Sequence, residues 1–353
     1  MSAAARFAYL DARVSVLAGR LLSPAAMARF VEVPPDEHGE DFQTLGLPFR
    51  AEQVPENPMD LEQALVSLLV KEAGVLARPL TGAARDMLRY WLRRFEIVNL
   101  KVVMRAIMEG QSVEDIHARL LDLGAMSALP LDTMLHAEDT AELLRRLEHS
   151  VYAGMVRQAR STYEEQGGLF SVESALDREY FTGLAKRANA LPSEAGRDLR
   201  RLVGVLIDQV NLVWLLRYRH VYGLDPAHAY YLLAPMGRYL DSRRLLALVQ
   251  LGSVEEVVQA LTPPFAEPLQ GLTTIDAVEA ALNRETERIA HIVLGFTTFN
   301  LGRPCAYLLL RERQLWRIQA ALKGQRLALA PDTIRRAMRI TTKAPAGRRG
   351  QED

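Results

Sequence analysis

A single cysteine, Cys305, occurs among 353 residues, which excludes an intrachain disulfide and a metal site built from several thiolates. Its simplest role is that of a small buried hydrophobe, and a reducing, cytoplasmic location accords with it. Aromatic residues are scarce, at 7%, while Leu, Ala, Arg and Glu dominate, which favours helix over sheet. Neither sign of charge is in excess, with 43 Lys and Arg against 43 Asp and Glu. The basic surplus typical of nucleic-acid binders is therefore missing globally, though a local patch stays open. No run of 18 apolar residues exists. The nearest, Ile289 to Leu301, is interrupted by His291, Thr297, Thr298 and Asn300 and is too short for a bilayer. Met1 to Leu10 lacks the features of a signal peptide, so membrane association is expected to be peripheral, through a partner or a surface.

Catalytic signatures are missing too. The sequence has no G-x-x-x-x-G-K-[ST] phosphate loop, no G-x-G-x-x-G turn, no H-E-x-x-H helix and no G-x-S-x-G elbow. The seven histidines are scattered, and the closest pair, His220 and His228, is split by Asp225-Pro226. Acidic pairs such as Glu164-Glu165 and Glu255-Glu256 suit exposed helix faces. No catalytic group, cofactor or metal ligand is nominated.

What is present is a repeat. Glu96-Ile97-Val98-Asn99-Leu100 is followed by Arg105 and Gly110. Asp208-Gln209-Val210-Asn211-Leu212 is followed by Arg217 and Gly223. A weaker third copy runs Gln314-Leu315-Trp316-Arg317-Ile318 and reaches Gly324. The steps between Asn99, Asn211 and Arg317 are 112 and 106 residues, too long for a solenoid unit and right for a small helical domain. The expected division is residues 1–130, 131–262 and 263–340, with a polar tail from Thr341 to Asp353.

Helical periodicity runs through all three parts. Phe7 to Phe30 carries Leu10, Val14, Leu17 and Leu21 at three- and four-residue steps, and Ser23-Pro24 can start a further turn. Prolines and glycines break Val33 to Asp60 into loop or short helices. A helix from about Ala83 to Glu109 carries the stripe Leu88, Trp91, Phe95, Val98 and Val102 and is closed by Gly110. Further helices are expected over Glu138 to Gln166, Ser171 to Ala190, Ser193 (as cap) to His220, Thr274 to Gly295 and Pro304 to Lys323. Gly110, Gly223 and Gly324 are expected to end equivalent helices. No run alternates as a strand does, so the chain is all-α.

Asn99 and Asn211 sit mid-helix beside apolar stripes, where an amide is a poor choice unless it is hydrogen-bonded. The simpler reading is that each bonds a neighbouring helix or loop and fixes packing; the alternative is contact with a partner. Glu96, Asp208, Arg105 and Arg217 are expected on solvated faces or in surface ion pairs. Trp91, Trp214 and Trp316 are expected as core anchors.

These residues, taken in order, resemble a known family: the central-stalk C subunit of bacterial and archaeal A/V-type ATPases, whose eukaryotic V-type counterpart is the d subunit. The likeness spans about Phe7 to Met338. Tyr9-Leu10-Asp11-Ala12-Arg13-Val14 is similar to its opening Tyr-x-Asn-Ala-Arg-Val, with Asp11 in place of Asn. Thr81-Gly82-Ala83-Ala84-Arg85 with Asn99-Leu100-Lys101 resembles its first repeat. Asn211-Leu212 through Gly223, with Gly237-Arg238, resembles the second. Glu312 to Gly324 resembles the third, where Arg317 replaces the expected Asn. The resemblance implies three similar helical-bundle subdomains arranged as a funnel with pseudo-threefold symmetry. It implies a non-catalytic socket on the cytoplasmic face of the membrane proteolipid ring, which receives the central shaft formed by the D and F subunits. Torque would pass through it, coupling ATP turnover to H+ or Na+ movement. Partner-contact candidates are Asn99, Arg105, Gly110, Asn211, Arg217, Gly223, Arg317 and Gly324. The rival reading is a general helical scaffold unrelated to rotary motors.

Overall fold

The computed structural model describes residues 3–166 and 168–338, and the tail expected from Thr341 to Asp353 lies outside them. Among the described residues the regular structure is eighteen α-helices and three short 3-10 turns, with no strand. The repeat takes a definite form along the chain, two long helices in succession followed by one short helix. The long pairs are Pro58–Ala77 then Gly82–Met108, Leu169–Ala190 then Ser193–His220, and Ile275–Phe296 then Gly302–Arg326. The short followers are Val113–Ala118, Pro226–Tyr231 and Pro331–Ala337.

Local chemistry accounts for these boundaries. Gly110 and Gly223 take left-handed φ values of 65° and 66° just beyond their helices, a conformation that costs a residue with Cβ. The Ser112 hydroxyl accepts the Asp115 N–H at 3.1 Å and starts the first short helix. Asp225 accepts the N–H groups of Ala227 and His228, each at 3.0 Å, and Pro226 supplies the preset φ of the first turn of the second. The third copy differs. Gly324 lies inside its helix, and the left-handed position falls on Ala328, at φ 50°.

The chain folds as two compact units, and the long helices Pro58–Ala77 and Gly302–Arg326 contribute to both. One unit contains the residues up to Leu17 together with Leu69–Leu310. Its core includes Leu212, Leu215 and Leu216 packed with Val257, Phe265 and Leu282. Burying each such side chain contributes roughly 1.5–3 kcal/mol. Tyr90 and Tyr180 stack with ring centroids 5.6 Å apart, and the Tyr180 hydroxyl donates to the Trp91 carbonyl at 3.0 Å, which ties the Gly82–Met108 helix to the Leu169–Ala190 helix. The other unit comprises Ala18–Leu68 and the described residues from Arg311. There Phe30 stacks on the buried ring of His38 at 4.2 Å, and His38 reaches the Asp41 carboxylate at 3.0 Å and the Val33 carbonyl at 3.1 Å.

Four expectations are corrected. Glu138 to Gln166 is two helices, Thr140–Leu147 and Ala153–Gln166, because the Ser150 hydroxyl takes the Tyr152 N–H into a turn. Ser193 is the first helical residue rather than a side-chain cap. Val98 is 45% exposed, so the stripe leaves the core between Phe95 and Val102. Trp91 is fully buried, but Trp316 is 56% exposed: Leu315 and Ile318 take the inward positions of that helix.

Candidate functional site

The three motif residues do the same local work. Asn99 donates its amide to the Leu121 carbonyl at 2.7 Å and accepts the Leu121 N–H at 2.8 Å. Asn211 donates to the Ala234 carbonyl at 2.7 Å and accepts the Ala234 N–H at 2.8 Å. Each buried amide therefore satisfies both polar groups of a single backbone residue, just past the short follower helix. A side chain with one donor and one acceptor on adjacent atoms fits that task, which explains an Asn in the middle of an apolar helix. Arg317 fills the equivalent place in the third copy. Its Nε donates to the Met338 carbonyl at 3.2 Å, again just past the short helix. A guanidinium has no acceptor, so it can take the carbonyl half of the grip but not the N–H half.

The residue three positions earlier makes a second grip. Asp208 is fully buried and accepts the N–H groups of Arg238 at 3.1 Å, Tyr239 at 2.9 Å and Leu240 at 3.0 Å. Glu96 is also buried and accepts the Ala128 N–H and the Ser127 hydroxyl. In the third copy Gln314 accepts the Leu22 N–H at 2.7 Å and donates to the Arg20 carbonyl at 2.9 Å. Each gripped turn stands just before a short helix: Leu131–Leu135, Ser242–Leu248 and Pro24–Glu32 respectively. The expectation of solvated carboxylates at Glu96 and Asp208 is thus corrected: a turn of bare N–H groups provides an anion site inside the protein.

Burial pushes the Asp208 carboxyl up to about 6, while the three N–H donors and the nearby Arg238 charge pull the other way. Gly237 is required beside it, since a Cβ there would stand 2.2 Å from Asp208 Oδ1. Arg105 makes a two-pronged pair with Glu173 at 2.6 and 2.5 Å, and Arg217 meets Glu279 at 2.9 Å. Both arginines are about half exposed, the geometry of surface pairs. Gly324 does not end its helix as expected: a Cβ there would lie 2.6 Å from Ile334 Cγ1, so it lets the Pro331–Ala337 helix approach closely.

Sequence reasoning passed over Gln314 and Arg311. Gln314 was legible from its offset, the same as that of Glu96 and Asp208. Arg311 is fully buried and donates to the carbonyls of Leu45 and, at 3.4 Å, Arg20. No sequence signal marked it, because its partners lie more than 250 positions away. Cys305 is buried, and burial raises its thiol well above the ordinary range, which leaves it unreactive. Among the described residues no group of His, Cys, Asp and Glu is arranged to hold a metal ion.

The grips hold backbone; they do not converge on a space where a substrate could react. The family model described as ATP synthase (C/AC39) subunit matches residues 10–337. The chain belongs to this family. It is similar to the C subunit of the A-type ATP synthase of Methanothermobacter thermautotrophicus, 26% identical over 94% of this chain and 87% of that protein. It is also similar to the A-type ATP synthase C subunits of Methanocaldococcus jannaschii, 25% identical over 94% of this chain and 86% of that one, and of Haloquadratum walsbyi, 25% identical over 89% of each. As a member of the ATP synthase (C/AC39) subunit family the chain is a non-catalytic subunit of a rotary ATPase. Among its described residues no helix is long and apolar enough to cross a membrane.

Proposed function

We propose that this chain is the central-stalk socket of its rotary ATPase, joining the rotating shaft of the D and F subunits to the membrane proteolipid ring. It transmits torque in either direction and carries out no chemistry itself, while the complex moves H+ or Na+. It sits on the cytoplasmic face of the membrane, held there through the complex. The observation that carries this reading is the thrice-repeated double grip. A torque adaptor needs turns locked to long helices, and the grips at Asn99 and Asn211 lock them with buried hydrogen bonds and the grip at Arg317 with a half-buried one, each worth roughly 1 kcal/mol net.

The threefold repeat is retained, with one revision to the division 1–130, 131–262 and 263–340. Gln314 grips the Arg20–Leu22 turn, so the segment from Ala18 is assigned to the third repeat, which is then built from both chain ends. Affinity purification of the tagged chain from membranes tests the reading. Recovery of shaft subunits and proteolipid is expected. Recovery of neither, or ATP hydrolysis by the isolated chain, contradicts it and favours the general scaffold.

A further inference from the structure

Three turns between long helices in the unit holding Leu69–Leu310 are tied together at one end. Arg6 of the first helix donates to the Thr81 hydroxyl at 2.9 Å. Asp11 of the same helix accepts the Phe299 N–H at 2.7 Å. Leu301 donates its N–H to the Ala195 carbonyl at 3.0 Å, and the Asn300 amide reaches the Asp198 carboxylate at 2.9 Å. The turns after Ala77, Ala190 and Phe296 are therefore braced against one another and against the N-terminal helix.

On this braced end stand two phenylalanines that the core does not use. Phe296 is 86% exposed and Phe299 is 55% exposed. Phe299 also holds a left-handed φ of 56°, which a bulky side chain rarely adopts. Gly or Asn would hold that conformation at lower cost, so an exposed ring there serves no evident folding purpose. The surroundings are basic in a chain of zero net charge. Segments 3–13, 78–86, 191–200 and 296–303 hold seven arginines and four carboxylates. Asp86 already pairs with Arg187 at 2.8 Å, and Asp11 with Arg303 at 3.5 Å, whereas Arg13, Arg78 and Arg197 are exposed.

Exposed aromatic rings on an end rich in exposed arginines match an anionic bilayer surface, where the rings enter the boundary between headgroups and chains and the guanidinium groups meet phosphates. We propose that the end bearing Phe296 and Phe299 contacts anionic lipid directly. This goes beyond the socket reading and rests on it only for bringing a membrane within reach. The contact would add a lipid-borne hold to the one made through protein partners.

The test is sedimentation of the purified full chain with vesicles of phosphatidylcholine alone or mixed with phosphatidylglycerol. Binding to the mixed vesicles is expected, with release by salt and at least a fivefold loss in the Phe296→Ser/Phe299→Ser variant. Arg78→Glu with Arg197→Glu is expected to lower binding more than tenfold, at about fivefold per arginine removed. Phe299→Gly is expected to weaken binding while raising the melting temperature, which a purely structural ring would not do. Equal binding to neutral vesicles, or undiminished binding by the double Phe variant, overturns the proposal. A wild-type chain that ignores vesicles, with a double Phe variant that no longer co-purifies with the ATPase, also overturns it and assigns the rings to an apolar groove on a protein. A wild-type chain that ignores vesicles yet co-purifies with the ATPase, as does its double Phe variant, would reject the lipid contact and leave the socket reading standing.

Discussion

The second and third copies of the repeat perform the same task with different chemistry. In the second, Asp208 and Asn211 grip turns that follow within about 30 residues, and both side chains are almost completely buried. In the third, Gln314 and Arg317 occupy the same offsets, but Gln314 grips a turn that lies nearly 300 residues earlier. The charged residue has changed place: the buried carboxylate becomes a neutral amide, and the neutral amide becomes a guanidinium. What persists is the placement of donors and acceptors against backbone just past one short helix and just before another. The repeat therefore preserves a hydrogen-bonding task rather than a residue type.

Substitutions can break that comparison. The largest effect is expected for Asn211→Leu, which strands the N–H and the carbonyl of Ala234 inside the core. Each unpaired group costs about 1–3 kcal/mol, so a loss of about 3 kcal/mol by urea unfolding is expected, and Asn99→Leu should match it. Arg317→Leu should cost less, about 1 kcal/mol, because its bond to the Met338 carbonyl is half-buried and no backbone N–H is stranded by its loss. Equal losses at Asn211 and Arg317 would remove the distinction drawn between the copies.

A pH measurement sharpens the contrast at the second grip. Asp208 binds its proton more tightly folded, at about 6, than as an ordinary aspartate near 3.8. Between those values the native state holds more protons than the unfolded chain, so this group's contribution to stability rises as pH falls from 6 toward 4. In Asp208→Asn that component should vanish from the pH profile of the melting temperature, whereas Gln314→Glu should introduce a titrating group into the third copy. The smallest effect is expected for Arg105→Ala. Its pair with Glu173 is exposed, so a loss of about 0.5 kcal/mol, shrinking in high salt, should appear in the same unfolding assay.

Much of this was legible in the sequence. Spacing alone placed Asn99, Asn211 and Arg317 in register, and apolar periodicity with Gly110 and Gly223 located the helix ends. The partners were not legible. Nothing in the local sequence says that Asn99 reaches Leu121 or that Asp208 receives three N–H groups, because such pairs are set by how helices pack. A charged residue reads as solvated unless its donors are known, which is why Glu96 and Asp208 were expected outside. Trp316 was expected inside for its size, yet one turn of helix needs only Leu315 and Ile318 facing the core. The role of the first chain segment was hidden because Gln314 and its turn sit at opposite ends of the sequence.

Amide hydrogen exchange in the Asn211→Leu variant tests the central claim most directly. The Ala234 N–H should exchange at least tenfold faster than in the wild type, while Leu240, held by Asp208, and Leu121, held by Asn99, keep their protection. Unchanged exchange at Ala234, with the variant folded, would show that the amide does not hold that turn and would contradict the account.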